Sequence, residues 1–244
     1  MIVIKGIISL LFIVIFLSAL RSELHLMSIK HKKNLIPSLV SEFKRKLILL
    51  LVSIIFVLLI IVFLDFKITM VLTLQEHAKW SILISDLATT MPLMVLLIIL
   101  YSVSFIKNQH SKFHESIRVS TLAFVTVLVV GGILKLIILR TRPYVDLNPY
   151  DFFQYTHLMS HHVNKYLSMP SDHTLRVAAI VLPLIFAYKQ RIIRAILWFV
   201  IGLVMYCRVA TLNHWTSDVV AGLIIAIAIT HFIYKNAEIS RRKE

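Results

Sequence analysis

One cysteine, five glycines and six prolines occur in 244 residues, and each scarcity removes a class of protein. A lone Cys207 cannot support an internal disulfide framework or a cysteine-based zinc site. Five glycines argue against a glycine-rich phosphate loop. Acidic residues are few as well: 12 Asp and Glu stand against 26 Lys and Arg, a formal net charge of +14. On a soluble chain that excess points to nucleic acid. Here the basic residues fall in short loops between apolar runs, so membrane topology explains them and no nucleic-acid partner is expected.

What is plentiful is apolar. Hydrophobic residues make up 59% of the chain and the mean hydropathy is +0.86, against roughly 45–50% apolar in an ordinary soluble domain. The excess lies in runs long enough to cross a bilayer as helices. Seven candidates cover 2–20, 47–65, 89–106, 119–139, 175–188, 192–208 and 218–234. The first has Lys5 near its start, as a signal peptide does. The residues that follow, Arg21-Ser22-Glu23-Leu24, offer no small-residue cleavage site, so a retained helix is expected.

Lysine and arginine in the short loops set the orientation. Segment 21–46 carries seven of them, and 107–118, 189–194 and the C-terminal tail carry three or four each. These segments are expected in the cytoplasm, with 66–88, 140–174 and 209–217 on the opposite side. Segment 21–46 reads as a basic topogenic loop, with an amphipathic helix on anionic lipid as the alternative.

Three polar groups then fall at the outer ends of the last four spans. The first is Lys135-x6-Arg142-Pro143. A lysine inside an apolar helix costs roughly 2.5–3.5 kcal/mol on insertion scales, which makes it a functional candidate. If the helix continues to Arg142, both cations project along one face. The second is Pro170-Ser171-Asp172-His173 just before the fifth span. A helix N-terminus there can bind an anion, and His173 can donate a proton. The third is Arg208-x5-His214-x3-Asp218. Arg208 offers a planar fork to phosphate oxygens, and Asp218, four residues on, can hold one ring nitrogen of His214 while the other attacks. Each group alone has a bland reading as a snorkelling cation or a polar cap. Their convergence on one face does not.

These residues resemble the three-part signature K-x6-R-P, P-S-G-H and S-R-x5-H-x3-D of the phosphatidic acid phosphatase type 2 superfamily of membrane lipid phosphatases. The resemblance implies an all-α fold, a polytopic transmembrane bundle with a six-helix phosphatase domain over 47–235. Residues 1–46 would add an N-terminal helix and basic cytoplasmic loop, and 236–244 a basic cytoplasmic tail. It implies that His214 attacks phosphorus to form a phosphohistidine, that Asp218 orients it, and that His173 protonates the leaving oxygen and later activates water. Lys135, Arg142, Ser171 and Arg208 would hold the phosphoryl oxygens. No cofactor or metal is called for, because the cations take that role.

Two positions depart from the signature: Asp172 stands at the glycine and Cys207 at the serine. Asp172 loses glycine's conformational freedom and brings a carboxylate that can repel phosphate. Cys207 replaces a good hydrogen-bond donor with a weak one. Both are expected to modulate rate or substrate preference rather than reaction class. The expected partners are membrane lipids and a lipid phosphate substrate of a bacterial inner membrane, with the site facing the periplasm. Phosphatidic acid, phosphatidylglycerol phosphate, undecaprenyl diphosphate and lipid A phosphate all fit. A phosphotransferase using the same intermediate and a non-enzymatic phospholipid binder or transporter are the competing readings.

The stretch 144–169 adds His157, His161 and His162 and six aromatic residues. Two histidines four apart can present to a metal, but a polar loop contacting head groups is the expectation, with the aromatics as interface anchors. Trp80 and Trp215 are placed in the same belt.

Overall fold

The computed structural model describes residues 36–73, 79–109 and 111–241, together with Ser9, Phe12, Ile13, Val14, Phe16, Leu17 and Ala19. Its α-helices are α1 Ile36–Phe63, α2 Asp65–Thr73, α3 Lys79–Leu87, α4 Thr90–Lys107, α5 Lys112–Ile138, α6 Asp172–Ala187, α7 Arg191–Ala210 and α8 Thr216–Arg241. Among the described residues there is no strand. Helices α4, α5, α7 and α8 are each long and apolar enough to cross a membrane, and α1 with α2 makes a fifth candidate bent by 55° at its break. The chain is an all-α transmembrane bundle.

Burial shows which way the helices face. Large apolar side chains such as Leu49, Val52, Phe56, Leu59 and Phe63 on α1, and Ile133 and Ile137 on α5, point out of the bundle. An exposed apolar surface of this extent is what a lipid environment covers. Helix α6 is the opposite case. It has 16 residues, most of them buried, and it packs against α4, α5, α7 and α8. A helix apolar on all sides belongs at the centre of a bundle. The central core gathers Leu97, Phe124, Leu175, Leu182 and Ile201, with Phe12 from the N-terminal segment joined edge-on to Phe124.

Several boundaries differ from the sequence reading. The expected span 2–20 lies largely outside the described residues, as does 21–35. The remainder of the expected basic loop, from Ile36, is the start of α1. The expected outer segment 66–88 carries α2 and α3, and α8 runs to Arg241 through most of the expected tail.

The most consequential difference is the end of α5. It stops at Ile138, with Leu139 in the left-handed conformation at φ 41°, so Lys135 and Arg142 do not share a helical face and Pro143 is not what ends the helix. Left-handed backbone is costly for a residue with a Cβ. Here the returning loop over-determines it: Phe153 N–H donates to Ile138 O (2.9 Å) and Gln154 N–H to Leu139 O (3.1 Å). Those bonds satisfy carbonyls the helix end would otherwise orphan. Further on, Thr141 N–H donates to Asp151 O, Arg142 N–H to Lys165 O and Ser168 N–H to Arg140 O, at 2.9–3.0 Å. The long connection from 139 to 171 is thereby a built platform. Non-helical backbone at a membrane face is tolerated when protein supplies its hydrogen bonds in this way.

Candidate active site

The platform, the N-terminus of α6 and the α7–α8 turn meet at one end of the bundle, and they bring the three motifs together. Lys135, in the last turn of α5, donates to Leu167 O (2.5 Å) and lies 3.4 Å from Asp172 Oδ2. Ser171 is the N-cap of α6, though its side chain makes no capping hydrogen bond, and its N–H donates to the Asp218 carbonyl (3.0 Å). His173 and His214 face one another with ring centroids 6.5 Å apart. The His214 N–H donates to Arg208 O (3.2 Å). Arg142 donates from Nε to Asn164 O (2.8 Å) and from Nη1 to Asn213 Oδ1 (3.3 Å).

His214 sits in the turn before α8, with 1% of its surface exposed. Its Nδ1 lies 2.7 Å from the Ser168 carbonyl oxygen and 3.7 Å from Asp218 Oδ2. A carbonyl can only accept, so Nδ1 carries the proton and Nε2 keeps its lone pair. The main chain therefore holds the ring directly, where Asp218 alone was expected to do so. Burial drives the His214 pKa well below its ordinary value; the Asp218 carboxylate opposes the shift, and Arg142 and other nearby cations add to it. The imidazole is neutral, the form a nucleophile requires. Burial also lowers the pKa of Arg142, which stays a cation at any working pH.

Asp218 is fully buried in the first turn of α8. Its Oδ2 accepts from Ser168 Oγ (2.5 Å) and Trp215 N–H (2.9 Å), and its Oδ1 from Arg140 Nη1 (2.6 Å). Arg208, from the last turn of α7, is buried with its Nε unpartnered, and so is His173 Nδ1. Buried polar atoms normally find partners. Two of them in a cluster holding Lys135, Arg142 and Arg208 suit an anion.

The departures from the signature acquire a local explanation. Asp172 is the first residue of α6 and has no positive φ, so a glycine's freedom is not used at that position. Its carboxylate faces Lys135. Cys207 is fully buried within α7. A glycine is required elsewhere: a Cβ on Gly222 would come within 2.9 Å of the Ser171 carbonyl oxygen. This close approach lets α8 press against the turn that presents Ser171.

Trp215 is a correction. It is fully buried and is no interface anchor. Its Nε1 donates to Thr141 O (2.9 Å), and its ring lies against the Arg140 guanidinium. Phe152 likewise turns inward, with Arg140 4.7 Å above its ring. Trp80, Tyr144, Tyr150, Phe153 and Tyr155 are exposed, as belt residues should be. His157 stacks on Tyr166 at 4.2 Å, and among the described residues no three His, Cys, Asp or Glu side chains converge as metal ligands.

Four polar residues at this end escaped the sequence reading: Asp65, Arg140, Ser168 and Ser217. Asp65 and Arg140 had a signal, since each is a charge at the edge of an apolar run, the criterion that singled out Lys135. Ser168 and Ser217 had none.

A helical membrane bundle with histidines, a carboxylate and several cations gathered at one end defines a class of phosphate-handling membrane proteins. Comparison with known proteins narrows it. The sequence model of the PAP2 superfamily matches residues 117–242, over half of the chain, and the protein belongs to that superfamily. Two solved structures share the fold. Aquifex aeolicus LpxE is 23% identical with a TM-score of 0.54, over 70% of this chain and 95% of that one. A transmembrane PAP2-type phosphatidylglycerolphosphate phosphatase from Bacillus subtilis is 18% identical with a TM-score of 0.54, over 91% of this chain and 96% of that one. A search of curated proteins gives no match.

Proposed function

We propose that the protein is a lipid phosphate phosphatase of the bacterial inner membrane, with its site on the periplasmic face and its C-terminus in the cytoplasm. Residues 47–235 form the phosphatase domain. The observation that carries the reading is the His214 arrangement: a buried, neutral imidazole whose Nδ1–H is held by Ser168 O, close to His173 and the cation cluster. Mere binding of a phosphate needs the cations but not this tautomer.

In the first step His214 Nε2 attacks phosphorus. A P–N bond forms, the ester or anhydride P–O bond breaks, and His173 gives the leaving oxygen its proton. Lys135, Arg142, Arg208 and the Ser171 turn stabilise the charge on the equatorial oxygens. Asp218 stabilises the positive charge that grows on His214. In the second step His173 takes a proton from water, which attacks phosphorus and frees His214. The substrate is a phosphate monoester or diphosphate of an envelope lipid. The phosphatidylglycerolphosphate activity named for the Bacillus subtilis structure supports that class.

The test is turnover of radiolabelled lipid phosphates by purified protein, with quenching in alkaline detergent to trap protein-bound label that is stable in base and lost in acid. Wild type is expected to release free phosphate and to trap label on His214. His214→Ala is expected to lose about three orders of magnitude in kcat while remaining folded. Undiminished turnover in that variant, or label on another residue, sinks the mechanism. Label passing to a second lipid instead of water makes the protein a phosphotransferase.

A further inference from the structure

Arg140 lies two residues before Arg142 and does none of the work assigned to the cations above. It is fully buried, and four acceptors surround its guanidinium. Nη1 donates to Asp218 Oδ1 and Ser217 Oγ, both at 2.6 Å; Nη2 donates to Asp65 Oδ2 (2.8 Å) and Pro149 O (2.7 Å). The rings of Phe152 and Trp215 lie 4.7 and 5.2 Å from it. Asp65, also fully buried, stands at the bend between α1 and α2. Its Oδ1 accepts from Ser217 N–H (2.7 Å) and its Oδ2 from Ser217 Oγ (2.5 Å). One cation thus ties together chain positions 65, 140 and 218.

A buried ion pair is poor evidence of stabilisation, because desolvation offsets much of the attraction. This one has a geometric consequence at the site. Arg140 occupies Oδ1 of Asp218, and the oxygen left toward His214 is Oδ2. It also has an electrostatic consequence. With His214 neutral, one guanidinium and two carboxylates leave the cluster with one net negative charge, enclosed where water does not screen it. A charge of that sign opposes the positive charge that forms on His214 during phosphoryl transfer. Without Asp65, Arg140 would neutralise Asp218 and the imidazolium would form uncompensated.

We infer that Arg140 and Asp65 are positioning residues for phosphoryl transfer: Arg140 aims the Asp218 carboxylate at His214, and Asp65 balances Arg140 so that Asp218 keeps its charge for the cation forming there. The inference rests on His214 as nucleophile, so its test carries His214→Ala as a reference.

The experiment measures kcat and KM of the full-length protein in nanodiscs on a short-chain phosphatidic acid, with the thermal midpoint of each variant. Asp65→Asn is nearly isosteric and keeps an acceptor for Ser217 N–H. Arg140→Lys keeps the charge but loses the fork that spans both carboxylates. Both are expected to lower kcat about tenfold or more with KM within about twofold of wild type, the signature of an interaction made in the transition state. Wild-type kcat in folded Asp65→Asn or Arg140→Lys, whatever the thermal midpoint, overturns the inference, because a purely structural pair would move stability alone. A loss confined to KM overturns it as well. Should neither charge variant fold, Ser217→Ala removes the hydroxyl they share without removing a charge; a lower kcat at unchanged KM supports the inference, and an unchanged kcat overturns it. If His214→Ala itself turns over, the reading of the site has failed, a result distinguishable from failure of the positioning role.

Discussion

Ser168 touches both His214 and Asp218. Its carbonyl accepts from His214 Nδ1 at 2.7 Å while its hydroxyl donates to Asp218 Oδ2 at 2.5 Å. One residue of the platform loop therefore sets the tautomer of His214 and one face of the carboxylate beside it. Ser168→Ala keeps the carbonyl and deletes the hydroxyl. The expected result is a fall in kcat of about tenfold with little change in KM, and it is checked by steady-state kinetics on a short-chain lipid phosphate. Asp218→Asn should cost more, about a hundredfold or beyond, because it removes the charge proposed to stabilise a phosphohistidine cation.

The Asp172 carboxylate is paired with Lys135, one of the cations proposed to hold phosphate. The carboxylate is 3.4 Å from Lys135 Nζ and 38% of its side chain is exposed, so the pair opens toward the site. Replacing it by Asn or Gly removes a negative charge from a phosphate site without straining the helix start. Asp172→Asn is expected to lower the inhibition constant of inorganic phosphate by about three- to tenfold, the usual scale of one partly screened charge. An unchanged constant would show that the carboxylate does not compete.

Gly222 sets the seat of the Ser171 turn. A methyl group there meets the Ser171 carbonyl at 2.9 Å, and both partners are held by helix and platform. Gly222→Ala is expected to insert in the membrane and to lose activity, while Gly202→Ala, whose added Cβ has nothing within 4 Å, keeps both. Parallel assays of the two variants at equal protein concentration check this.

The buried, neutral His214 makes stability depend on pH. In the unfolded chain its imidazole takes a proton near pH 6.5; in the folded protein burial keeps the pKa well below that value. Between those two pKa values the unfolded state binds the extra proton, so stability falls as pH drops below about 6.5 and is fully present above it. Thermal midpoints in detergent at pH 7.5 and 5.5 are expected to show this decline, and His214→Asn should show a smaller one.

Composition and pattern carry much of this protein on their face. Apolar runs at membrane length dictate helices because lipid offers backbone groups no other partner. The spacings of Lys135, Arg142, Ser171, His173, Arg208, His214 and Asp218 point to phosphoryl transfer because cations suit the phosphoryl oxygens and imidazoles suit attack and proton transfer. The course of the chain between the motifs is a different matter. That α5 stops at Ile138, that Ser168 rather than Asp218 alone holds His214, and that Trp215 lies under Arg140 instead of at the interface all depend on contacts between residues 15 or more positions apart. No local propensity encodes such contacts. Asp65 makes the contrast plainest. Along the chain it is one carboxylate at the end of an apolar run, 75 residues from Arg140 and 152 from Ser217. Only the packing of the bent α1–α2 span against α8 brings it to them.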